Sequence, residues 1–372
     1  MPTTILFDTA TLADAVSKAS RVAPTKGKAF DRSAGLLFEV NPDTLEVVLK
    51  ATNEDVTYRQ TLHANSGTGD VATWRIPSSM LTSIITSLPM GSGSMVTLID
   101  RGDQAIRLTC GRVKVRLATL NTEGFPRIEE SDPSGMRPAN EMAAKVVQVA
   151  WSVGKQEGHP LSGVHLDGKR LIGCDGTTVA TVPCDVPLDD PVTVPLWLLA
   201  PLLKQASDIK VKASDKKLHI MLDAETATTS ALLEAKYPNV DGVMRTDFTG
   251  SLEVNKSVFM DSLNRMLGLG KEDRVVSVRV EVNGTGLLKM VTFDMEIEGV
   301  GRMMDSIDVT TDYADIFEIL FNPQTLQKAV DACRGDMVTI EFGHPDASKA
   351  ARKPIKVTDK FGYICYVMPK NK

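Results

Sequence analysis

The chain has 372 residues, 42% hydrophobic and 24% charged, with a formal net charge of −5. That length exceeds one compact core and divides into about two or three domains of ordinary folded composition. The charge carries no nucleic-acid signature, and no apolar run reaches the roughly 18 residues that span a bilayer. The opening MPTTILFDTATLADA lacks the basic start of a secretory leader, so a cytoplasmic location with no membrane partner is expected.

In chain order, the first amphipathic run is TATLADAVSKASRVAP, with Leu12, Ala15, Val16 and Ala19 at helical spacing. Strand text follows in AGLLFEV and LEVVLKATN, around a turn at Asn41-Pro42-Asp43. WRIPSSMLTSIITSLPMGSG then predicts a second helix, with Pro77 at its start and Met80, Leu81, Ile84, Ile85 and Leu88 spaced three or four apart. SMVTLID, AIRLTC and VKVRLATL are strands, and the segment ends at Phe125-Pro126.

The middle third repeats this order. NEMAAKVVQVAWSVGK predicts a helix, SGVHLDGKRLIGCDGTTVATVPC a strand pair about Asp167-Gly168, and TVPLWLLAPLLKQASD a helix opening on a proline. IKVKAS, LHIML and TSALLEA are strands that end at Tyr237-Pro238, an echo of Phe125-Pro126. The last third does so again, through NKSVFMDSLNRMLGLG, a hairpin VVSVRVEV-NGTG-LLKMVTF, the helix of ILFNPQTLQKAVDACRG, and strands DMVTIEF, KPIKVT and YICYVMP. An α+β chain of three repeats results, with domains at 1–130, 131–245 and 246–372.

Catalytic patterns are missing. The sequence holds no GxxxxGK[ST], GxSxG, HExxH or GxGxxG. His63, His159, His165, His219 and His344 are spread out, and the one close pair, His159 and His165, reads as surface or loop residues. Glu129-Glu130 and Asp189-Asp190 read as solvated turn charge rather than metal ligands, and the five separated cysteines as reduced core thiols. Asp175-Gly176-Thr177-Thr178 reads as a hairpin turn; an enzyme with its site there is the remaining catalytic alternative. No cofactor or metal is expected.

Charge is nevertheless segregated. The six helical segments together carry +4, which leaves −9 on the rest. A weakly basic helical surface on an acidic body suits loose contact with duplex DNA, because each phosphate neutralised steepens salt dependence by roughly 0.9 in log–log slope.

These motifs, in this order, resemble the bacterial sliding clamp, the β subunit of DNA polymerase III, including versions carried by phages. The likeness runs through TLNTEGFPRI, HPLSGVHLDG with LIGCDGTTVATVPC, LLEAKYPNV and the final YVMPKNK. It implies a non-catalytic processivity factor, a head-to-tail homodimeric ring of six similar domains encircling double-stranded DNA. It implies partners that dock a linear motif: the replicative polymerase, the clamp loader, repair or translesion polymerases and ligase. A clamp dedicated to a phage or to repair, serving one polymerase, is the alternative within the family.

Carried over by position, the motif pocket comprises Leu161, Gly163, Gly176, Thr177, Thr178, Val179, Pro238, Val243, Pro354, Tyr366, Val367, Met368 and Pro369. DNA contact falls on Lys18, Arg21, Lys26, Lys28, Lys145, Lys155, Lys204, Lys256, Arg265 and Lys328, Lys155 by family position and the rest by helix placement. Two departures stand out. Thr177-Thr178 replace the family's His-Arg at the expected pocket rim, and PKNK replaces its usual apolar-Arg-Leu finish.

Overall fold

The computed structural model describes all residues except 25–32, 101, 129–131, 155, 157–158, 196–207, 215, 245–246, 269–275, 282–287, 298–300, 312, 314–316, 345–351 and 371–372. The NGTG turn and most of the helix expected over 195–208 therefore lie outside the described residues.

The first third contains β1 (Thr4–Asp8), α1 (Thr9–Ser20), β2 (Leu36–Asn41), β3 (Glu46–Thr52), β4 (Val56–His63), β5 (Ser66–Thr68), β6 (Ala72–Ile76), α2 (Ser78–Ile85), β7 (Met95–Asp100), β8 (Ala105–Cys110) and β9 (Val113–Ala118). The middle holds β10 (Arg137–Pro138), α3 (Asn140–Val149), β11 (Val164–Leu166), β12 (Arg170–Cys174), β13 (Thr178–Pro183), β14 (Val192–Val194), β15 (Lys210–Ser214), β16 (Lys217–Met221) and β17 (Thr226–Ala231). The last third holds β18 (Gly250–Asn255), α4 (Lys256–Gly268), β19 (Val276–Glu281), β20 (Leu288–Ile297), β21 (Gly301–Thr310), β22 (Phe317–Phe321), α5 (Pro323–Asp331), β23 (Met337–Phe342), β24 (Ile355–Thr358) and β25 (Ile364–Val367).

Sheet order makes the repeat visible. The first meander of each third runs β6-β2-β3-β4, β14-β11-β12-β13 and β22-β19-β20-β21. The second runs β1-β7-β8-β9, β10-β15-β16-β17 and β18-β23-β24-β25. β4 pairs antiparallel with β17, and β13 pairs in the same manner with β25. Among the described residues the remaining counterparts have no such partner. β9 is the end strand of its sheet, and β21 meets β18 only at Glu253↔Thr310. Both strands keep half-exposed side chains, Val115 and Met303, while Met304 is 61% exposed.

Local chemistry explains the helix starts. Asp8 accepts the Thr11 amide at 3.1 Å ahead of α1. Asn322 accepts the amides of Gln324 and Thr325 ahead of α5, where Pro323 lacks the amide that a first turn leaves unused. The helix expected from residue 138 is α3 followed by a 3-10 turn at Ala150–Ser152. That turn lies close over β12, where Gly173 leaves room: a Cβ there would stand 2.2 Å from the Val149 carbonyl oxygen.

Two compact units form. Unit 1 is Met1–Ala143 with Val194–Leu232, and unit 2 is Ala144–Thr193 with Leu233–Lys372. The middle third is thus shared, because its two meanders have joined the sheets of different neighbours. In unit 1, Phe7, Phe38, Tyr58 and Leu49 are fully buried, and in unit 2 Phe259, Phe293, Phe342 and Tyr363 are. All five cysteines are free and buried, as the core-thiol reading expects. No helix among the described residues is long and apolar enough to cross a membrane.

Candidate functional site

Within unit 2, β12, β13 and β25 lie side by side. Alternation turns Ile172, Cys174, Val179, Ile364 and Tyr366 toward one face. Tyr237 and Val240 pack on that face as one buried cluster, joined by the half-buried Leu161, Met244 and Phe248. Of the expected pocket residues, the cluster takes in Leu161, Val179 and Tyr366. Sequence reading did not mark Ile172, Cys174, Tyr237, Val240, Met244, Phe248 or Ile364 as lining. The signal was present in the alternation of β12 and β25, two positions apart.

Thr178 and Val367 are placed otherwise. They are cross-strand partners, 1% exposed each, on the opposite side of the sheet from Val179 and Tyr366. The Thr178 hydroxyl lies 2.6 Å from the Ser152 hydroxyl, so it turns into the unit instead of shaping the rim. Asp175 Oδ1 accepts the amides of Thr177 and Thr178 at 2.8 and 2.7 Å, and their hydroxyls at 2.9 and 3.0 Å. This is a saturated hairpin turn, with Gly176 at φ +89°. Gly176, Thr177 and Pro238 are exposed, as are Val243 and Met368. Gly163 is buried just before β11, and Pro354 and Pro369 are half-buried. The Met368 amide donates to the Thr177 carbonyl at 2.9 Å and the Lys370 amide to the Leu320 carbonyl at 2.7 Å, which fixes the final strand's exit beside the turn.

The Tyr237–Met244 segment is held from two sides. His165 stacks on the Tyr237 ring, with centroids 4.4 Å apart and planes 4° from parallel, while its Nδ1 lies 2.9 Å from the Thr193 hydroxyl. His165 is therefore a half-buried strand residue and not the loop histidine expected; burial lowers its pKa. On the other side, Arg170 Nε donates to Asp167 Oδ2 at 2.6 Å and Nη2 to Asp241 Oδ1 at 2.9 Å. Burial opposes charge on Asp167, but the Arg170 guanidinium and the amides of Lys169 and Arg170 outweigh it and hold the carboxyl below its usual range. Burial pushes the Cys174 thiol up, so it behaves as an apolar lining group.

The basic residues fare differently. Lys26, Lys28, Lys155 and Lys204 lie outside the described residues. Arg21 and Lys328 are exposed on their helices, and Lys145 is half-buried. Lys18 pairs with Asp14 at 2.6 Å, and Arg265 Nε donates to Asp305 at 2.8 Å. Lys256 donates to the carbonyls of Asp331 and Cys333 at 2.7 and 2.6 Å, closing the end of α5. That ammonium serves the fold. Among the described residues no cluster of histidine, cysteine and carboxylate side chains could hold a metal ion.

No family model matches the chain. A beta sliding clamp of Rickettsia bellii is 22% identical over 392 residues, covering 96% of this chain and 97% of its own. One from Streptococcus pneumoniae serotype 4 is 23% identical over 287 residues, 72% of each. The DNA polymerase III beta subunit of Thermotoga maritima superposes over the full length of both chains, with a TM-score of 0.80 at 19% identity. Sliding clamps of Bartonella birtlesii and Pseudomonas aeruginosa, each solved bound to griselimycin, superpose over the full length with TM-scores of 0.79 and 0.78 at 18% and 16% identity. In sequence the chain resembles beta sliding clamps from end to end, and its fold is the clamp fold of repeated domains.

Proposed function

We propose that the chain is a DNA sliding clamp, a non-catalytic processivity factor that works as a ring of two copies. The observation that carries this reading is the pair of strand edges left over by the repeat. β4 has β17, and β13 has β25; β21 and β9 are the remaining counterparts. Pairing β21 of one copy with β9 of the next completes the series, and two such junctions close a dimer.

The existing junctions supply the register. Tyr58 opposes Thr228 and Ala180 opposes Cys365, and the hairpin pairings make Met303 and Val115 their counterparts. Met303 and Val115 then meet across the new junction, and two half-exposed apolar side chains become buried. Arg116 and Arg302 fall opposite one another there, each already paired with a carboxylate of its own, Asp103 and Asp294.

Domains at 1–130, 131–245 and 246–372 make six domains per ring. Duplex DNA passes along the helices, held by topology and by few phosphate contacts; Arg21 and Lys328 are the exposed cations best placed for them. The apolar cleft of unit 2 docks a linear motif of the replicative polymerase, the clamp loader and repair enzymes. Its aliphatic, aromatic and sulfur lining suits varied anchors. Tethering turns each rebinding of the polymerase into an intramolecular event.

The test is mass together with topology. Light scattering gives about 81 kDa, twice the 40.3 kDa chain, and loaded protein stays on nicked circular plasmid but leaves once the plasmid is linearised. A monomer at micromolar concentration, or retention on linear DNA equal to that on circles, refutes the ring.

A further inference from the structure

The Tyr237–Met244 segment, which packs on the apolar face of unit 2, contains no strand, only a short 3-10 turn at Asp241–Val243. Its backbone hydrogen bonds are local: the Val243 amide donates to the Val240 carbonyl at 3.0 Å and the Met244 amide to the Asp241 carbonyl at 3.2 Å. Attachment to the sheet therefore depends on side chains, and Arg170 reaches furthest along the segment. One guanidinium touches the turn before β12 through Asp167, the start of the 3-10 turn through Asp241, and Met244 through a 3.9 Å contact from Nη1 to Sδ. Its direction is set in advance. Asp167 also accepts the amides of Lys169 and Arg170 at 3.0 and 2.9 Å, so it is locked to the strand it orients.

We infer that Arg170 is a positioning residue: it fixes the gap between the Tyr237–Met244 wall and β12, and through that gap the affinity for a docked partner peptide. This rests on the docking role proposed above. Arg170 acts through Val240 and Met244, members of the apolar cluster of the proposed docking face. An ionic contact thus governs an apolar pocket, and that leaves a signature.

The side chains of Arg170 and Asp241 are 31% and 60% exposed, so dissolved ions reach the pair. Raising salt from about 0.05 M to about 1 M shortens the screening length to roughly 3 Å and loosens the wall. Binding governed by apolar burial alone holds or strengthens under the same change.

The experiment titrates griselimycin into full-length protein by calorimetry across that salt range. Wild type binds and weakens with salt. Arg170→Met binds about tenfold more weakly at low salt and loses most of the salt dependence. Asp241→Asn shifts in the same direction by about threefold, and the double variant is no weaker than Arg170→Met alone. Asp241 lies at the exposed end of the contact, so its variant carries the test if Arg170→Met fails to melt cooperatively. Equal affinity and equal salt slope in wild type and variants overturn the positioning role while leaving the docking role standing. Failure of wild type to bind overturns the docking role, and the inference with it.

Discussion

In unit 1, β3, β4 and β17 lie together as β12, β13 and β25 do in unit 2, and cross-strand partners identify matching positions. Lys50 faces Leu37 as Ile172 faces His165. The row Thr52, Thr57, Thr229 matches Cys174, Val179, Tyr366. Phe125 and Tyr237 close the two rows, with Arg75 over the Phe125 ring at 5.4 Å where His165 stacks on Tyr237. The frame is the same, but one face carries a lysine and three threonines where the other carries apolar side chains. Unit 1 does have a hollow of about 380 Å³ lined in part by Leu37, Phe125 and Ile128, but Lys50 and Glu39 lie in it as a 2.7 Å ion pair. The two units share the strand geometry, and in unit 2 the matching positions form an apolar buried cluster.

The comparison can be broken most directly by Ile172→Lys, which puts the unit 1 residue into unit 2. Asp167 stands where Glu39 stands in unit 1, but Arg170 already occupies it. A charge then enters the cleft unpaired, and griselimycin affinity falls about a hundredfold or more by calorimetry. Unchanged affinity means that the cluster is not the docking surface. Next in size is the contrast between the two aromatic rings. Tyr237→Ala removes a ring 9% exposed and its histidine stack, costing about 3 kcal/mol, while the half-buried Phe125 costs about 1–2 kcal/mol by the same change. Urea midpoints rank them, and equal losses erase the distinction.

The smallest effect is a pH dependence at His165 in unit 2. Burial lowers the folded pKa of His165, so the unfolded chain binds its proton more readily. That contribution is fully present above the ordinary value of about 6.5 and is lost as pH falls through it toward the folded value. Since the ring is half-exposed, the loss stays below about 1 kcal/mol. His165→Phe keeps a ring against Tyr237 and flattens the drop in melting temperature between about pH 7 and pH 5. Leu37, at the matching place in unit 1, has no proton to bind.

The tripled order of elements was legible because helices and strands differ in hydrophobic period, and because Phe125-Pro126 and Tyr237-Pro238 punctuate it. β4 and β21 were not legible. In VTYRQTLH the apolar row of Val56, Tyr58 and Leu62 is interrupted by Gln60, and in GRMMDSIDVT Asp305 interrupts the row of Met303, Ile307 and Val309. Of the pocket residues expected from the sequence, Leu161, Val179 and Tyr366 fall in the buried cluster of unit 2. Sequence reading took consecutive residues as lining where a strand exposes every second one, and so named Thr178 and Val367 beside Val179 and Tyr366. The partial loss of His-Arg also reads differently: Thr178 is an inward hydroxyl, and only Thr177 faces out.

In the proposed ring of two copies, the edges of β9 and β21 have a genetic consequence. They are complementary and not alike, so each copy brings one of each to a pair. A copy spoiled at Val115 and a copy spoiled at Met303 fail alone, because both junctions are damaged. Mixed, they place both lesions in one junction and leave the other whole. Two defective alleles in one cell can then restore half of what either has lost.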